Sequence, residues 1–259
     1  MINFELTKTN RLILQQAFQH NRRVDLGIEC VLENQMGKAW VDNLENPQIF
    51  VIDQTPFYYF AGNVDSPAGQ AYLEELPVYQ LFISMSAGWL ESIRTRYGIR
   101  LQEMPRYQCS AENLSLDHIQ QQFARFGHPE CIRPIDLSLA QKLYAEQDHF
   151  IDLHMFDSAE DFIQRGIGHV YMEEETILAG AYSSLVCSRG IEVSVFVLDD
   201  HRRKGIATAL SCALIQSSLA RGLNPHWDAA NPESIKLAQK LGYRFAGEYT
   251  AYYLLPEKK

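Results

Sequence analysis

The tightest constraint on the fold lies between Ile191 and Gly222, where a pattern of period two gives way within a few residues to one of period 3.6. Ile191, Val193, Val195 and Val197 alternate with Glu192, Ser194, Phe196 and Leu198, which predicts a strand with two distinct faces. After the loop DDHRRK, the apolar residues Ile206, Ala209, Leu210, Ala213 and Leu214 recur at helical spacing, and Gly222 supplies a stop. A strand that turns straight into a helix aims the unpaired N–H groups of the first helical turn, about Lys204 to Thr208, at one point, together with the positive end of the helix dipole. A diphosphate suits that point. Gly205 and Ala207 let phosphate oxygens approach the backbone, Ile206 and Thr208 add their amides, and Arg202, Arg203 and Lys204 add positive charge. The glycine signatures of other phosphate cradles, GxxxxGK[ST] and GxGxxG, are missing from the chain.

The 259 residues, 46% of them hydrophobic, can fill one large core or two small ones. A formal net charge of -9 provides no general attraction to nucleic acid or to an anionic membrane and favours cationic small molecules. Cys30, Cys109, Cys131, Cys187 and Cys212 are odd in number and lack CxxC spacing, which argues against a disulfide framework or a zinc site and fits a reducing cytoplasm. Cys187, within an apolar strand, reads as an inert core thiol. The opening MINFELTKTNRLILQQAF is broken by charged and amide residues, so neither a signal peptide nor a membrane span is expected. His149 and His154 are five apart and fall on different faces of a helix, so no metal site is expected.

Along the front half, two short helices are predicted between Thr7 and Glu33, then strands near Ala39 to Val41, Gln48 to Ile52 and Phe57 to Ala61. A further strand near Val78 to Ser84 runs into a helix near Gly88 to Tyr97, which Ser86 would cap. From Met104 to Glu130 the pattern weakens into turn residues around one helix, Leu116 to Phe126, and the domain boundary is placed there, giving domains 1–127 and 128–259. The second half opens with a strand at Cys131 to Arg133 and a helix from Leu137 to Gln147, then a helix capped by Ser158 that ends near Gly166. Strands at Gly168 to Met172, Ile177 to Cys187 and Ile191 to Leu198 follow as a meander with turns at EEE and SRG. The halves share an alternation of helices and strands but no sequence repeat, and the class is α/β with mixed sheets.

A second constellation lies downstream, in WDAANPESIKLAQKLGYRF. Asn231 is a good N-cap, Pro232 suits the first helical position, Ile235, Ala238 and Leu241 form a stripe, and Gly242 ends the helix. The segment from Glu192 to Phe245 resembles the GNAT superfamily of N-acetyltransferases: a strand, R-x-x-G-x-A opening a helix, a second strand, Asn with a small residue three positions on, and LGYRF. The resemblance implies a C-terminal GNAT fold that uses acetyl-CoA as acyl donor. It implies that Arg202 to Thr208 form the pyrophosphate loop, that Val195, Phe196 and Val197 pair with the pantetheine arm, and that Asn231 meets the cofactor near its thiol end. Glu192 matches a position that often carries the general base. The tyrosine frequent seven residues after the Asn is Ala238 here, leaving Tyr249, Tyr252, Tyr253 or water to serve the departing thiolate.

The front half, around KAWVDNLENPQIFVIDQTPFYYFAG, is similar to the leading region of two-part GNAT proteins, a subgroup that includes zwittermicin-type resistance acetyltransferases. That likeness implies a degenerate GNAT-like unit without a second cofactor, one that helps shape the acceptor pocket. The expected function is acetyl transfer to a primary amine of a small cationic acceptor. A non-catalytic acyl-CoA binding module and a protein amino-group acetyltransferase are the other readings.

Overall fold

A computed structural model describes residues 1–146 and 150–257. His149, and the end of the helix expected to reach Gln147, lie outside the described residues. The chain divides into two compact units, residues 1–106 with 248–259, and residues 107–247. The 127/128 boundary expected from the sequence therefore falls inside the second unit.

The elements in chain order are β1 (Ile2–Asn3), α1 (Lys8–Ala17), α2 (Gly27–Leu32), β2 (Lys38–Val41), β3 (Ile49–Gln54), β4 (Phe57–Gly62), α3 (Pro67–Leu73), β5 (Leu81–Met85), α4 (Trp89–Tyr97), β6 (Leu101–Ser110) and α5 (Leu116–Ala124). They continue with β7 (Ile132–Pro134), α6 (Leu137–Ala145), α7 (Ala159–Arg165), β8 (Gly168–Glu173), β9 (Thr176–Cys187), β10 (Gly190–Val197), α8 (Ile206–Ala220), β11 (Pro225–Ala229), α9 (Pro232–Lys240) and β12 (Arg244–Leu254). Local chemistry sets most boundaries. The side chains of Thr7, Ser66, Ser115, Asp136, Ser158 and Asn231 each accept from an amide three residues on and start α1, α3, α5, α6, α7 and α9. Asp42 Oδ1 accepts from the amides of Gln48 (2.8 Å) and Ile49 (2.9 Å), fixing the turn between β2 and β3. Ser86 is not a cap: its hydroxyl donates to Gly62 O, and the N-cap of α4 is Gly88, with φ +88°.

In the first unit the strand order is β1-β2-β3-β4-β5-β12, with β4 and β5 parallel. Alternation along β3 sends Phe50 and Ile52 into one core with Phe4, Leu14 and Phe18, and Ile49 and Val51 into another with Phe82, Trp89 and Ile93. Helices α1 and α2 supply the first core and α3 and α4 the second, so both faces of this sheet are covered.

The second unit has the order β6-β11-β10-β9-β8-β7, with β10 and β11 parallel. Its elements repeat those of the first: a strand, two helices, a three-strand meander, a helix, a parallel strand and a helix. The closing strands are exchanged in chain order. β6 follows α4 yet pairs antiparallel with β11 through Tyr107 to Cys109, and β12 follows α9 yet pairs with β5 through Tyr252 and Tyr253. β6, β1 and α3 were not expected from the sequence. A buried stripe was expected on α8, but Thr208, Ser211, Cys212 and Ser218 are buried along with Ile206, Ala209, Leu210 and Leu214, because α5 covers a side of the helix that the sheet does not.

Candidate active site

Where β10 meets β11, the two strands separate. Parallel pairing holds only at Ile191 with Pro225 and Glu192 with His226, after which β10 stays on β9 while β11 pairs with β6. The direction of the freed groups follows from alternation. Leu198 N donates to Leu178 O beside β9, and Ile191 N donates to Asn224 O on the β11 side. Odd-numbered residues of β10 therefore turn their N–H and C=O groups toward the side that β11 leaves, which places the Val195 backbone groups and the Val197 N–H on an open edge, the Val197 carbonyl being taken by Arg202. An extended chain with amide groups can pair there. The side chain of Phe196 needs space on the opposite strand, and Gly180 provides it: a Cβ at that position would stand 2.7 Å from the Phe196 ring.

Among the described residues, the loop after β10 leads into the only long helix of the second unit that lacks a side-chain cap. Its N-cap is Gly205, left-handed at φ +83°, and Arg203 is also left-handed at φ +64°. The first amide with a helical acceptor is that of Ala209, bonded to Gly205 O at 3.1 Å. The amides of Ile206, Ala207 and Thr208 thus precede any intrahelical bond, at the positive end of a 15-residue helix. The side chains of Ile206 and Thr208 are buried, so both residues can serve an anion only through the backbone. Arg203 and Lys204 are exposed. Arg202 is held locally, its Nε donating to Val197 O (3.2 Å) and its guanidinium paired with Asp199 (2.8 Å). Lys240 arrives from α9 and donates to Thr208 Oγ1 at 3.1 Å, adding a cation at the start of α8.

Glu192 sits at the closed end of the fork and is 7% exposed. Its Oε1 accepts from Asp228 N (2.8 Å), and its Oε2 lies 2.7 Å from His226 Nδ1. Asp228 and His226 are two apart on β11 and share a face of the sheet. The Cys109 thiol is pushed up to about 11, chiefly by burial and then by Asp228 and Glu192. Burial, followed by Glu192, likewise raises the Tyr243 phenol well above its ordinary range, and its hydroxyl donates to Pro225 O (2.8 Å).

Asn231 caps α9 with Oδ1, which accepts from Ser234 N at 2.8 Å. Ala238 is fully buried. Tyr249 and Tyr252 belong to the first unit, where their hydroxyls accept from Arg106 (3.0 Å) and Arg94 (3.2 Å). His226, Asp228 and Lys240 were missed by sequence reasoning. Nothing in the linear spacing ties His226 to Glu192, 34 residues away, and Lys240 passes as an ordinary basic residue in a helix's last turn.

The first unit offers an instructive contrast. Its counterpart of α8 is α3, whose N-terminus is closed by the Ser66 side chain and by Pro67, which has no amide proton. Its counterpart pair, β4 and β5, stays paired over four positions, with a register shift after Tyr58, rather than parting after two.

A glycine-led helix start beside a parallel fork can hold a diphosphate next to an extended, amide-bearing arm. The comparisons with known proteins agree: the family model described as GNAT acetyltransferase matches residues 17–252, and the chain belongs to that family. An uncharacterized N-acetyltransferase, YdfB of Bacillus subtilis (strain 168), is 28% identical over 100 residues, 38% of each chain, so the match spans well under half of that relative. The crystal structure of a GCN5-related N-acetyltransferase-like protein from Streptococcus suis 89/1591 is similar at a TM-score of 0.79 and 26% identity, covering 97% of this chain and all of that one. A tandem GNAT protein from the clavulanic acid biosynthesis pathway shares the fold over 99% of both chains, at a TM-score of 0.52 and 11% identity. Members of this family transfer acyl groups from acyl-CoA. Among the described residues, no helix is long and apolar enough to cross a membrane.

Proposed function

We propose that the protein transfers an acetyl group from acetyl-CoA to a primary amine of a small cationic acceptor, by direct attack with both substrates bound. The observation that carries this reading is the fork of β10 and β11, which sets the Val195 and Val197 backbone, the uncapped start of α8 and the Glu192 carboxylate along one strand and the loop that leaves it. The α8 amides, Arg203, Lys204 and Lys240 hold the diphosphate of the donor. The backbone of the Val195 to Val197 stretch pairs with its amide-bearing arm, and the N–H of Val197 or of its neighbour meets the charge that develops on the thioester oxygen. Glu192, itself or through a neighbour, takes the proton that must leave the ammonium before nitrogen can attack. Holding both reactants together removes the entropic barrier to their meeting.

A cationic acceptor is favoured by the Glu192 and Asp228 carboxylates on adjoining strands and by 32 acidic against 23 basic residues in the chain. Ala238 offers no proton to the departing thiolate, and a thiol with a pKa near 8 to 9 leaves without one. We read the first unit as a degenerate GNAT-like partner of the second. The repeated element order and the likeness to a tandem GNAT protein support that, as does the sequence likeness to zwittermicin-type enzymes. Five cysteines without a disulfide support a cytoplasmic location.

Screening an amine library for acetyl-CoA-dependent thiol release tests the reaction. With an accepted amine, Glu192→Gln is expected to lower turnover by roughly 10²-fold while CoA still raises the melting temperature. The defect should shrink at high pH, where free amine is abundant. Full activity of this variant near neutral pH would remove Glu192 from the mechanism.

A further inference from the structure

We infer that Glu192 acts through His226: the imidazole of His226 is the group that receives the substrate's proton, and Glu192 orients it and stabilises its charged form. The inference rests on the acetyl-transfer reading above and deepens it. It starts from the geometry of the carboxylate. Glu192 is fastened at both oxygens, Oε1 by the Asp228 amide at 2.8 Å and Oε2 by His226 Nδ1 at 2.7 Å. The two side chains are register partners on parallel strands, and the outer member of the pair is the histidine, 24% exposed against 10% for the glutamate side chain.

A carboxylate facing Nδ1 selects one tautomer. Nδ1 carries the proton and donates it to Oε2, so Nε2 carries the lone pair. The pair then works as a base with its counter-charge built in. Nε2 takes one proton from the ammonium, giving an imidazolium whose charge Glu192 balances across the 2.7 Å bond. The freed amine nitrogen adds to the thioester carbon, giving a tetrahedral oxyanion whose collapse breaks the carbon–sulfur bond. The second proton lost by that nitrogen ends on the CoA sulfur, and the imidazolium returns the first to water. No further reactant is needed.

The groups facing the pair leave few candidates for titration in the acid range. Cys109 on β6 is pushed up to about 11 and Tyr243, just before β12, is raised further, both principally by burial, so neither ionises near neutrality. Asp228 on β11, whose amide donates to Glu192, is the other charged residue beside the pair. An acid limb in the rate profile that disappears with the imidazole therefore belongs to His226.

The test has two arms. In the first, ¹⁵N–¹H correlation spectra of the free protein, with the His226 signals identified by their loss in His226→Gln, should show the Nδ1–H form in the wild type. In Glu192→Gln the forms should mix, and the imidazole should protonate at lower pH than in the wild type. An Nε2–H form in the wild type, or a titration indifferent to Glu192→Gln, would overturn the pairing. In the second arm, with acetyl-CoA and 1,4-diaminobutane as acceptor, His226→Gln and Glu192→Gln should each lower kcat about 10²-fold with unchanged thermal stabilisation by CoA. His226→Gln should also lose the acid limb of kcat/KM, and free imidazole should restore part of the turnover of His226→Ala. Full turnover in His226→Gln alongside a defective Glu192→Gln would overturn the relay and leave acetyl transfer standing. If neither the wild type nor any variant acetylates the diamine, that acceptor fails, and the spectra still decide the pairing.

Discussion

Gly205 shows how one residue can be required for a reason different from the one its sequence context suggests. Its context points to a lack of bulk that lets phosphate oxygens approach. In the structure a Cβ at Gly205 would meet only the Phe126 ring, at 3.7 Å, an ordinary contact, whereas its φ of +83° is a conformation that other L-residues adopt at a cost of about 1–2 kcal/mol. The cost is therefore conformational, and it acts on the direction of the Ile206 to Thr208 amides. Gly205→Ala and Gly205→Val should both fold. Both should lose the rise in melting temperature that saturating CoA gives the wild type, a stabilisation of about 2.7 kcal/mol at a hundred times the Kd. Thermal melts with and without CoA check this, and an undiminished shift in a folded Gly205→Val would separate the loop from the cofactor.

Among the elements, α9 carries two separable demands. Asn231 Oδ1 is committed to the Ser234 amide, which leaves the side-chain NH₂ as the group able to meet a ligand. Asn231→Asp keeps the cap and removes those donors, while Asn231→Ala removes both at a cost of about 1 kcal/mol in stability. The aspartate variant should therefore melt near the wild-type temperature yet show a KM for acetyl-CoA raised about fivefold to tenfold, the worth of one hydrogen bond. The alanine variant should lose on both counts. Equal KM values in all three proteins would confine Asn231 to capping. The elements missing from the sequence reading were hidden by their own composition. β6 carries Pro105 and charged residues along Leu101 to Ser110, a profile that argues against a strand, and its place is fixed by pairing with β11 rather than by local preference. α3 is seven residues long and contains Pro67 and Gly69.

At the level of the whole molecule, the exchange of closing strands decides what can be cut. A fragment of residues 128–259 keeps every predicted site residue but loses β6 and α5. Trp227, Asp228 and Ala229 would then lack their partners Cys109, Gln108 and Tyr107, and α8 would lose the helix packed on it. Such a fragment should show no cooperative melt and no response to CoA, and a fragment of residues 107–247 should fare better on both. A cooperative, CoA-responsive 128–259 fragment would place the boundary back near residue 127. The features that sequence alone determined are those settled within about ten residues: β10 as a strand, the glycine that opens α8, the caps at Ser158 and Asn231, and Glu192 as a carboxylate on that strand. Spacing and capping are short-range effects, and they can be read along the chain. Only the tertiary structure decided which residues face Glu192 across the fork, that Lys240 reaches Thr208, and that β6 and β12 exchange sheets, because strand register and neighbour choice depend on burying whole faces contributed from distant parts of the chain.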